Sequence, residues 1–296
     1  MTSRRGFTLI ELLVALVLFL IVSGAIFSLL NNTQRVSRAQ AERVDMQSNM
    51  RAGALVVPSD LKMIGYDSVP GGATVTSDIL AMGPDSIMFR AIRSSGIVCK
   101  FNAANTIVID TSATRYYSAY RLPVSGGRDL LQIFLDGDST TSSDDQWVSD
   151  RAITAVGTGT CTSAYGSRAG LQFTTTMAYT GTSADPLKVG APVRTYEQMV
   201  YRVYQSGSKY YLGARSASNG ETSFEPVLGP LTSNGFRLVY YDSTGTTQAT
   251  VAKDVRTIQV TLVSRSDQAV NGAGGGTQSV KNDSVVTRVT LRNALR

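Results

Sequence analysis

The chain has 296 residues, enough for one or two domains with a sizeable buried core. It contains no histidine, which excludes mechanisms that need an imidazole base and the common histidine-based metal sites. The net charge of +6 is a mild excess without a long basic block, and it gives no reason to expect nucleic-acid binding.

The first predicted element is an apolar helix. Residues 12–30 carry no charge, and at 1.5 Å per residue they span about 28 Å, close to the hydrocarbon thickness of a bilayer. Arg4 and Arg5 precede this run, so the positive-inside rule places the N-terminus in the cytoplasm and the rest of the chain on the exported side. A secretory signal peptide cleaved near Ala25, or a plain signal anchor, are the alternatives. Neither explains a carboxylate at Glu11, which a membrane penalises.

The stretch Arg-Arg-Gly-Phe-Thr-Leu-Ile-Glu at positions 4–11 resembles the class III signal of type IV prepilins and pseudopilins. The resemblance implies that prepilin peptidase cleaves after Gly6 and methylates the new N-terminus at Phe7. It also implies that Glu11 meets the N-terminal ammonium of a neighbouring subunit during assembly. Cleavage creates a positive charge within one helical turn of Glu11, where opposite charges neutralise each other at membrane depth.

Beyond the apolar run, residues 31–65 are predicted to continue the helix with a narrower apolar face. Apolar residues recur near helical spacing at Val36, Ala39, Met46, Met50, Ala54 and Val57. Proline is expected to break or kink the helix at Pro58, with a short continuation through Met63 that Gly65 ends.

Ser59 and Lys62 match the S-x-x-K spacing of penicillin-binding enzymes. The partner motifs K-T-G and S-D-N are absent from the sequence beyond them, and a capped helical turn explains Ser59 adequately. We therefore expect no enzymatic activity.

From residue 66 to residue 296, short alternating segments are separated by Gly, Ser, Asp and Asn, which predicts an antiparallel β-rich head. The predicted strands are 86–92, 106–110, 130–135, 152–156, 171–176, 199–204, 210–214, 236–241, 255–263 and 285–291. Residues 205–208 predict a hairpin turn, and the glycine-rich segment 268–282 predicts a mobile loop.

Three further stretches resemble PilW-type minor pilins. Residues 61–66, Leu-Lys-Met-Ile-Gly-Tyr, are similar to the end of their N-terminal helix, and residues 255–262 and 287–293 are similar to their last two strands. The length of the chain also fits that group, whose members are longer than ordinary major pilins. J-type pseudopilins of type II secretion systems are the nearest alternative, and a tip adhesin or DNA-binding pilin is a further one.

Cys99 and Cys161 stand 62 positions apart, which fits neither a CxxC redox pair nor a zinc knuckle. In an exported domain they are disulfide candidates, with two buried thiols as the alternative. Alternating oxygen-bearing side chains, as in a calcium loop, occur at Asp136, Asp138, Thr140, Ser142 and Asp144, but the central glycine and the final glutamate are missing. No cofactor is expected, and calcium is the weaker hypothesis beside a solvated turn.

Tyrosines are frequent, and in strands they are explained by cross-strand packing. Tyr116, Tyr117 and Tyr120, with Arg115 and Arg121 nearby, could instead stack on single-stranded DNA. No basic groove can be read from the sequence, so packing is the preferred interpretation.

The predicted fold class is α+β, with a long N-terminal α-helix packed on an antiparallel β-rich head. The predicted segments are a leader at 1–6, a transmembrane and filament-core half at 7–30, an amphipathic half at 31–65 and an exported head at 66–296, which could comprise two β subdomains.

The resemblance implies a minor type IV pilin that acts in an initiation or tip complex for motility, adhesion or DNA uptake. Its partners would be prepilin peptidase, other minor and major pilins and the inner-membrane assembly platform. It would lie in the inner membrane and then in a surface pilus or pseudopilus.

Overall fold

A computed structural model describes residues 8–67, 76–112, 114–118, 121–136, 140, 143, 145–163, 166–176, 188–269 and 279–291. The chain divides into two compact units, residues 1–48 with 265–283 and residues 49–264 with 284–296. The first unit holds most of the N-terminal helix, and the second holds the helix end and most of the β-structure.

The helix α1 runs without interruption from Leu9 to Leu61. Of the break or kink predicted at Pro58, the break is wrong, since the residue is helical and the Lys62 N–H still donates to the Pro58 carbonyl at 3.0 Å. Proline removes one backbone donor, and it does so in the last turn, where few helical residues remain beyond it. Beyond the helix, the Gly65 N–H donates to Asp78 Oδ2 at 2.9 Å.

In the second unit, the end of α1 packs into the head. Met50, Val57 and Leu61 are buried together with apolar residues of the sheet. Gly53 allows the closest approach, because a Cβ there would lie 2.5 Å from Leu228 Cδ2. The predicted amphipathic half is not shown as such: the helical residues between 31 and 61 also include the exposed Val44, Leu55 and Val56.

Fourteen strands follow in the described chain, and a short 3₁₀ helix at Ala252–Asp254 lies between the twelfth and the thirteenth. They are β1 Tyr66–Asp67, β2 Thr76–Ser77, β3 Ile79–Met82, β4 Ser86–Ala103, β5 Thr106–Asp110, β6 Tyr117–Ser118, β7 Leu130–Leu135, β8 Gln146–Ser163, β9 Gly166–Thr175, β10 Pro192–Ser206, β11 Lys209–Ser216, β12 Glu225–Tyr241, β13 Thr257–Arg265 and β14 Asn282–Thr290. Neighbouring strands of the head pair antiparallel, as predicted.

Six of the strands close on themselves. β10 pairs with β7, β7 with β8, β8 with β9, β9 with β5, β5 with β4, and β4 with β10 again. We call this set the β-ring. Its buried apolar residues come from all six strands or the residues next to them: Val98, Ile107, Ile109, Leu131, Ile133, Leu135, Ile153, Phe173, Ala191 and Val193. The β-ring is therefore a small closed barrel with its own core, and closure leaves no exposed edge along its circumference.

Two strands of the β-ring, β4 and β10, extend beyond it into an open sheet. There β3, β4, β10, β11, β12, β13 and β14 lie side by side, and their buried face receives the end of α1. Ile258, Val260 and Leu262 share the buried face of β13, as the alternation predicts. The turn at Gly207-Ser208 joins β10 to β11 in the predicted hairpin.

Within the β8–β9 hairpin, β9 pairs with β5. The hairpin residues Gly159 and Gly170 face Val108, and a Cβ on Gly170 would lie 2.6 Å from the Ile109 carbonyl oxygen. Cys161 on this hairpin is joined by a disulfide to Cys99 on β4, with Cα atoms 5.5 Å apart. The glycines thus permit the approach, and the disulfide links two strands that do not pair with each other.

The first unit also contains the base of the glycine-rich segment predicted as a mobile loop. Ser266 N–H donates to the Lys281 carbonyl at 2.8 Å, and Asp267 N–H donates to Glu42 Oε2 on α1 at 2.8 Å. Residues 270–278 lie outside the described residues. The base of the segment is thus hydrogen-bonded to itself and to the helix.

Candidate functional site at the start of the N-terminal helix

Thr8 and Glu11 form a reciprocal cap at the start of α1. The Thr8 N–H and hydroxyl donate to Glu11 Oε2 at 3.1 and 3.0 Å, and the Glu11 N–H donates to Thr8 Oγ1 at 3.4 Å. This is a capping box, in which the N-cap and third helical residues satisfy each other's backbone donors. Its sequence signal is T-x-x-E, which was not among the predicted features.

The cap leaves part of the Glu11 carboxylate available. Both hydrogen bonds from Thr8 reach Oε2, and within the part of the chain that the structure describes no donor reaches Oε1. A negative charge at a helix start is favoured by the helix dipole. The carboxylate is therefore held in place by its own helix through one oxygen, and the side chain is exposed to a cation from outside the helix.

The apolar side chains that follow Glu11 lie in the open. Every large apolar side chain between residues 9 and 30 is 49–80% exposed. The helix is long and apolar enough to cross a membrane, and none of its most apolar window is buried by the rest of the chain. A core helix of a soluble domain would cover such a surface with its own fold. Here the surface is left for lipid or for other helices.

The predicted processing residues Gly6 and Phe7 lie outside the described residues. So do Asp138 and Asp144 of the weak calcium hypothesis, whereas Asp136 is described and pairs with Lys188 Nζ at 3.2 Å. Among the described residues there is no group of three or more His, Cys, Asp or Glu side chains that could hold a metal ion.

The tyrosines and arginines of the DNA hypothesis do not form one exposed surface in the described chain. Tyr116 packs against the core of the β-ring, and Tyr117 is 61% exposed. Tyr120 lies outside the described residues. Arg115 pairs with Asp110 at 3.2 Å, and Arg121 pairs with two buried carboxylates, so the charges needed for phosphate binding are already neutralised.

A buried ionic cluster in the head was not predicted from the sequence. Glu197 on β10 accepts hydrogen bonds from Arg93 at 2.7 Å, Arg121 at 3.2 Å and Arg128 at 2.8 Å. Arg121 also forms a two-point pair with Asp129. Along β10, Glu197 lies between Val193 of the β-ring core and Tyr201 of the open-sheet core. The cluster thus separates the two apolar cores, and we call it the ionic layer.

The ionic layer keeps its carboxylate charged. Burial by itself raises the pKa of Glu197, but the Ser216 hydrogen bond and the Arg93 charge outweigh it, so the pKa lies below its ordinary value. The hydrogen bond from Arg121 to Asp129 raises the pKa of Arg121. No short sequence signal could reveal this layer, because Arg93, Arg121 and Arg128 lie 69 to 104 positions from Glu197.

In a comparison with known protein families, one family model matches the N-terminal segment. The family model for the prokaryotic N-terminal methylation motif matches residues 1–27. No curated protein and no solved structure matches the chain. The matched segment contains Gly6, Phe7 and the Thr8–Glu11 cap, and it ends within the exposed apolar helix. The motif and the helix together support a type IV pilin-like or pseudopilin protein with a single-pass N-terminal membrane anchor.

Proposed function

We propose that this chain is a minor type IV pilin of PilW type that joins other pilins in an initiation or tip complex. The observation that carries the proposal is a capped, outward-facing Glu11 at the start of an exposed apolar helix, inside the matched methylation motif. Prepilin peptidase would release residues 1–6 and methylate Phe7. The resulting ammonium of one subunit would then pair with Glu11 Oε1 of its neighbour, which relieves the cost of a charge at membrane depth.

The head supports the finer part of the proposal. Its β-ring and open sheet together make a larger head than a major pilin carries, and the sequence similarity to PilW-type proteins lies at the helix end and in the last two strands. The Cys99–Cys161 disulfide supports export of the head, because such bonds persist in oxidising compartments. The head then reaches the exterior as part of the assembled filament.

Two variants separate assembly from capping. Glu11→Gln keeps a side chain that can complete the capping box but removes the charge. Thr8→Ala removes the capping hydroxyl and leaves the charge. We expect Glu11→Gln to be processed normally and to be lost from purified filaments at least tenfold, while Thr8→Ala remains incorporated.

Immunoblots of sheared filaments and of membranes, with the leader-cleaved band as the processing control, measure both properties. Normal incorporation of Glu11→Gln would contradict the ammonium-pairing role. Equal losses for Glu11→Gln and Thr8→Ala would contradict an assembly role that is specific to the Glu11 charge. Co-purification with a pilus rather than with a type II secretion pseudopilus distinguishes the minor-pilin proposal from the J-type pseudopilin.

A further inference from the structure

The segment beyond the apolar run carries two arginines and no acid before Glu42. Between Glu11 and Glu42 the only charged residues are Arg35 and Arg38. Both lie on the exposed surface of α1. Within the part of the chain that the structure describes, neither forms an ion pair, and the carboxylate of Glu42, one turn beyond Arg38, accepts the Asp267 N–H.

The positions of these arginines oppose the usual charge bias of membrane helices. Topology rules concentrate arginine and lysine on the cytoplasmic side. Here Arg35 and Arg38 lie within eight residues of the end of the apolar run, on the side that Arg4 and Arg5 predict to be exported. Loss of the leader would remove Arg4 and Arg5, so the flanking arginines of the processed chain would lie on the exported side alone. Insertion therefore does not account for them.

Helix geometry places both guanidinium groups at the lipid headgroups. At 1.5 Å per residue, Arg35 lies about 8 Å and Arg38 about 12 Å beyond Leu30, and the headgroup layer is about 5–8 Å deep on each side. Side chains of a helix point towards its N-terminus, which here is towards the bilayer. Long arginine side chains can therefore reach back to the phosphate level.

The two arginines also share one side of the helix. Residues three apart are neighbours on a helical surface, and Asn31 and Asn32 lie four and three positions before Arg35 on the same side. The set therefore presents two guanidinium groups and two amides together. Guanidinium groups bind phosphate oxygens through paired hydrogen bonds, and amides can donate to the same oxygens.

We propose that Arg35 and Arg38, with Asn31 and Asn32, form a basic collar that binds anionic phospholipids in the exported leaflet. The collar fixes the depth of α1 in the membrane before the subunit leaves it for a filament. Extraction must break these contacts, so the lipid composition of the exported leaflet affects how readily the subunit is released. Lipid binding by the collar rests on the membrane-spanning helix alone, whereas its effect on release rests on the proposed assembly into a filament.

The test measures lipid selectivity directly on the full chain. The protein is reconstituted in phosphatidylcholine bilayers, in a background where Arg4→Gln and Arg5→Gln remove the leader charges. Trace spin-labelled phosphatidylglycerol and phosphatidylcholine are compared by electron paramagnetic resonance. A basic residue near an anionic surface is worth about a fivefold change in association. We expect a phosphatidylglycerol preference of at least that size, weakening at high salt.

The variant Arg35→Gln/Arg38→Gln should abolish the preference. The matched control Arg43→Gln/Arg51→Gln removes two exposed arginines that lie about 20 and 32 Å beyond the apolar run, and it should leave the preference unchanged. A ratio of one in the unsubstituted collar would overturn the proposal. So would an undiminished preference in the first variant, or an equal loss in the control. Leader cleavage, read by mass, tests the processing proposal separately, so failure of the lipid proposal would leave the processing proposal standing.

Discussion

The N-terminal helix and the β-ring use the same apolar residue types in opposite ways. Phe19 on the helix is 70% exposed, whereas Phe173 on β9 is fully buried in the ring. The β-ring completes its core with side chains from all six of its strands. In α1, by contrast, none of the most apolar window is buried by the rest of the chain. The head therefore carries its own stability, while the helix depends on lipid or other helices.

The largest effect is expected when one phenylalanine in each region is replaced by alanine. Phe173→Ala should lower the free energy of unfolding of the head by about 3–5 kcal/mol, because it leaves a cavity in a closed core. Phe19→Ala should change it by less than about 0.5 kcal/mol. Urea unfolding of the full chain in detergent, followed by fluorescence of the single tryptophan, measures both, since Trp147 lies on β8 against Phe134. Equal effects would contradict the comparison.

Removal of the disulfide should cost somewhat less. Cys99→Ser/Cys161→Ser removes a link between two residues 62 positions apart and should lower the free energy of unfolding by about 2–4 kcal/mol. The same chain treated with a reductant should match the double variant in the tryptophan-detected transition. A reductant that leaves the unfolding midpoint unmoved would show that the link does not support the β-ring.

Gly170→Ala tests the approach of the β8–β9 hairpin to β5. A Cβ there would lie 2.6 Å from the Ile109 carbonyl oxygen. Because this oxygen belongs to the backbone, it can move away only if the strand shifts. We expect a loss of about 1–3 kcal/mol. Gly157→Ala on the same hairpin is the matched control, because its Cβ would have no atom within 4 Å. If the two alanines destabilise the head equally, the close approach is not what requires glycine.

The pH response of the head gives the smallest effect. A carboxyl group whose pKa is lowered by folding stabilises the fold above its unfolded pKa, and this contribution is lost as pH falls through the folded pKa. Glu197 should therefore make the head less stable in acid, below the ordinary glutamate range. Glu197→Gln should be less stable at neutral pH and should show a shallower decline in melting temperature from pH 6 to pH 3. If the melting temperatures of the two chains fall in parallel, Glu197 does not contribute to the acid response.

Local patterns predicted the elements with clear boundaries. Thr106–Asp110 and Leu130–Leu135 are strands over the predicted residues, because their apolar runs end at polar turns. The strand predicted at 152–156 instead runs from Gln146 to Ser163. Its second half is rich in threonine and glycine, shows no apolar alternation, and is a strand because β9 pairs with it. Tertiary pairing decides such segments.

The β-ring and the ionic layer could not be predicted from the sequence. Closure depends on the pairing of β4 with β10, whose residues lie about a hundred positions apart. Glu197 gathers its arginines over similar separations. The Thr8–Glu11 cap was predictable, since its four-residue signal is local. At the candidate site, the motif that carries the functional proposal is equally local.

The central claim is that residues 4–11 are a processing and assembly signal rather than a secretory signal. Mass spectrometry of the N-terminal peptide, from protein isolated from its own cells, tests it most directly. The proposal predicts a chain that begins at Phe7 and carries one added methyl group on its amine. An intact Met1, or a chain that begins near Ala25, would contradict it.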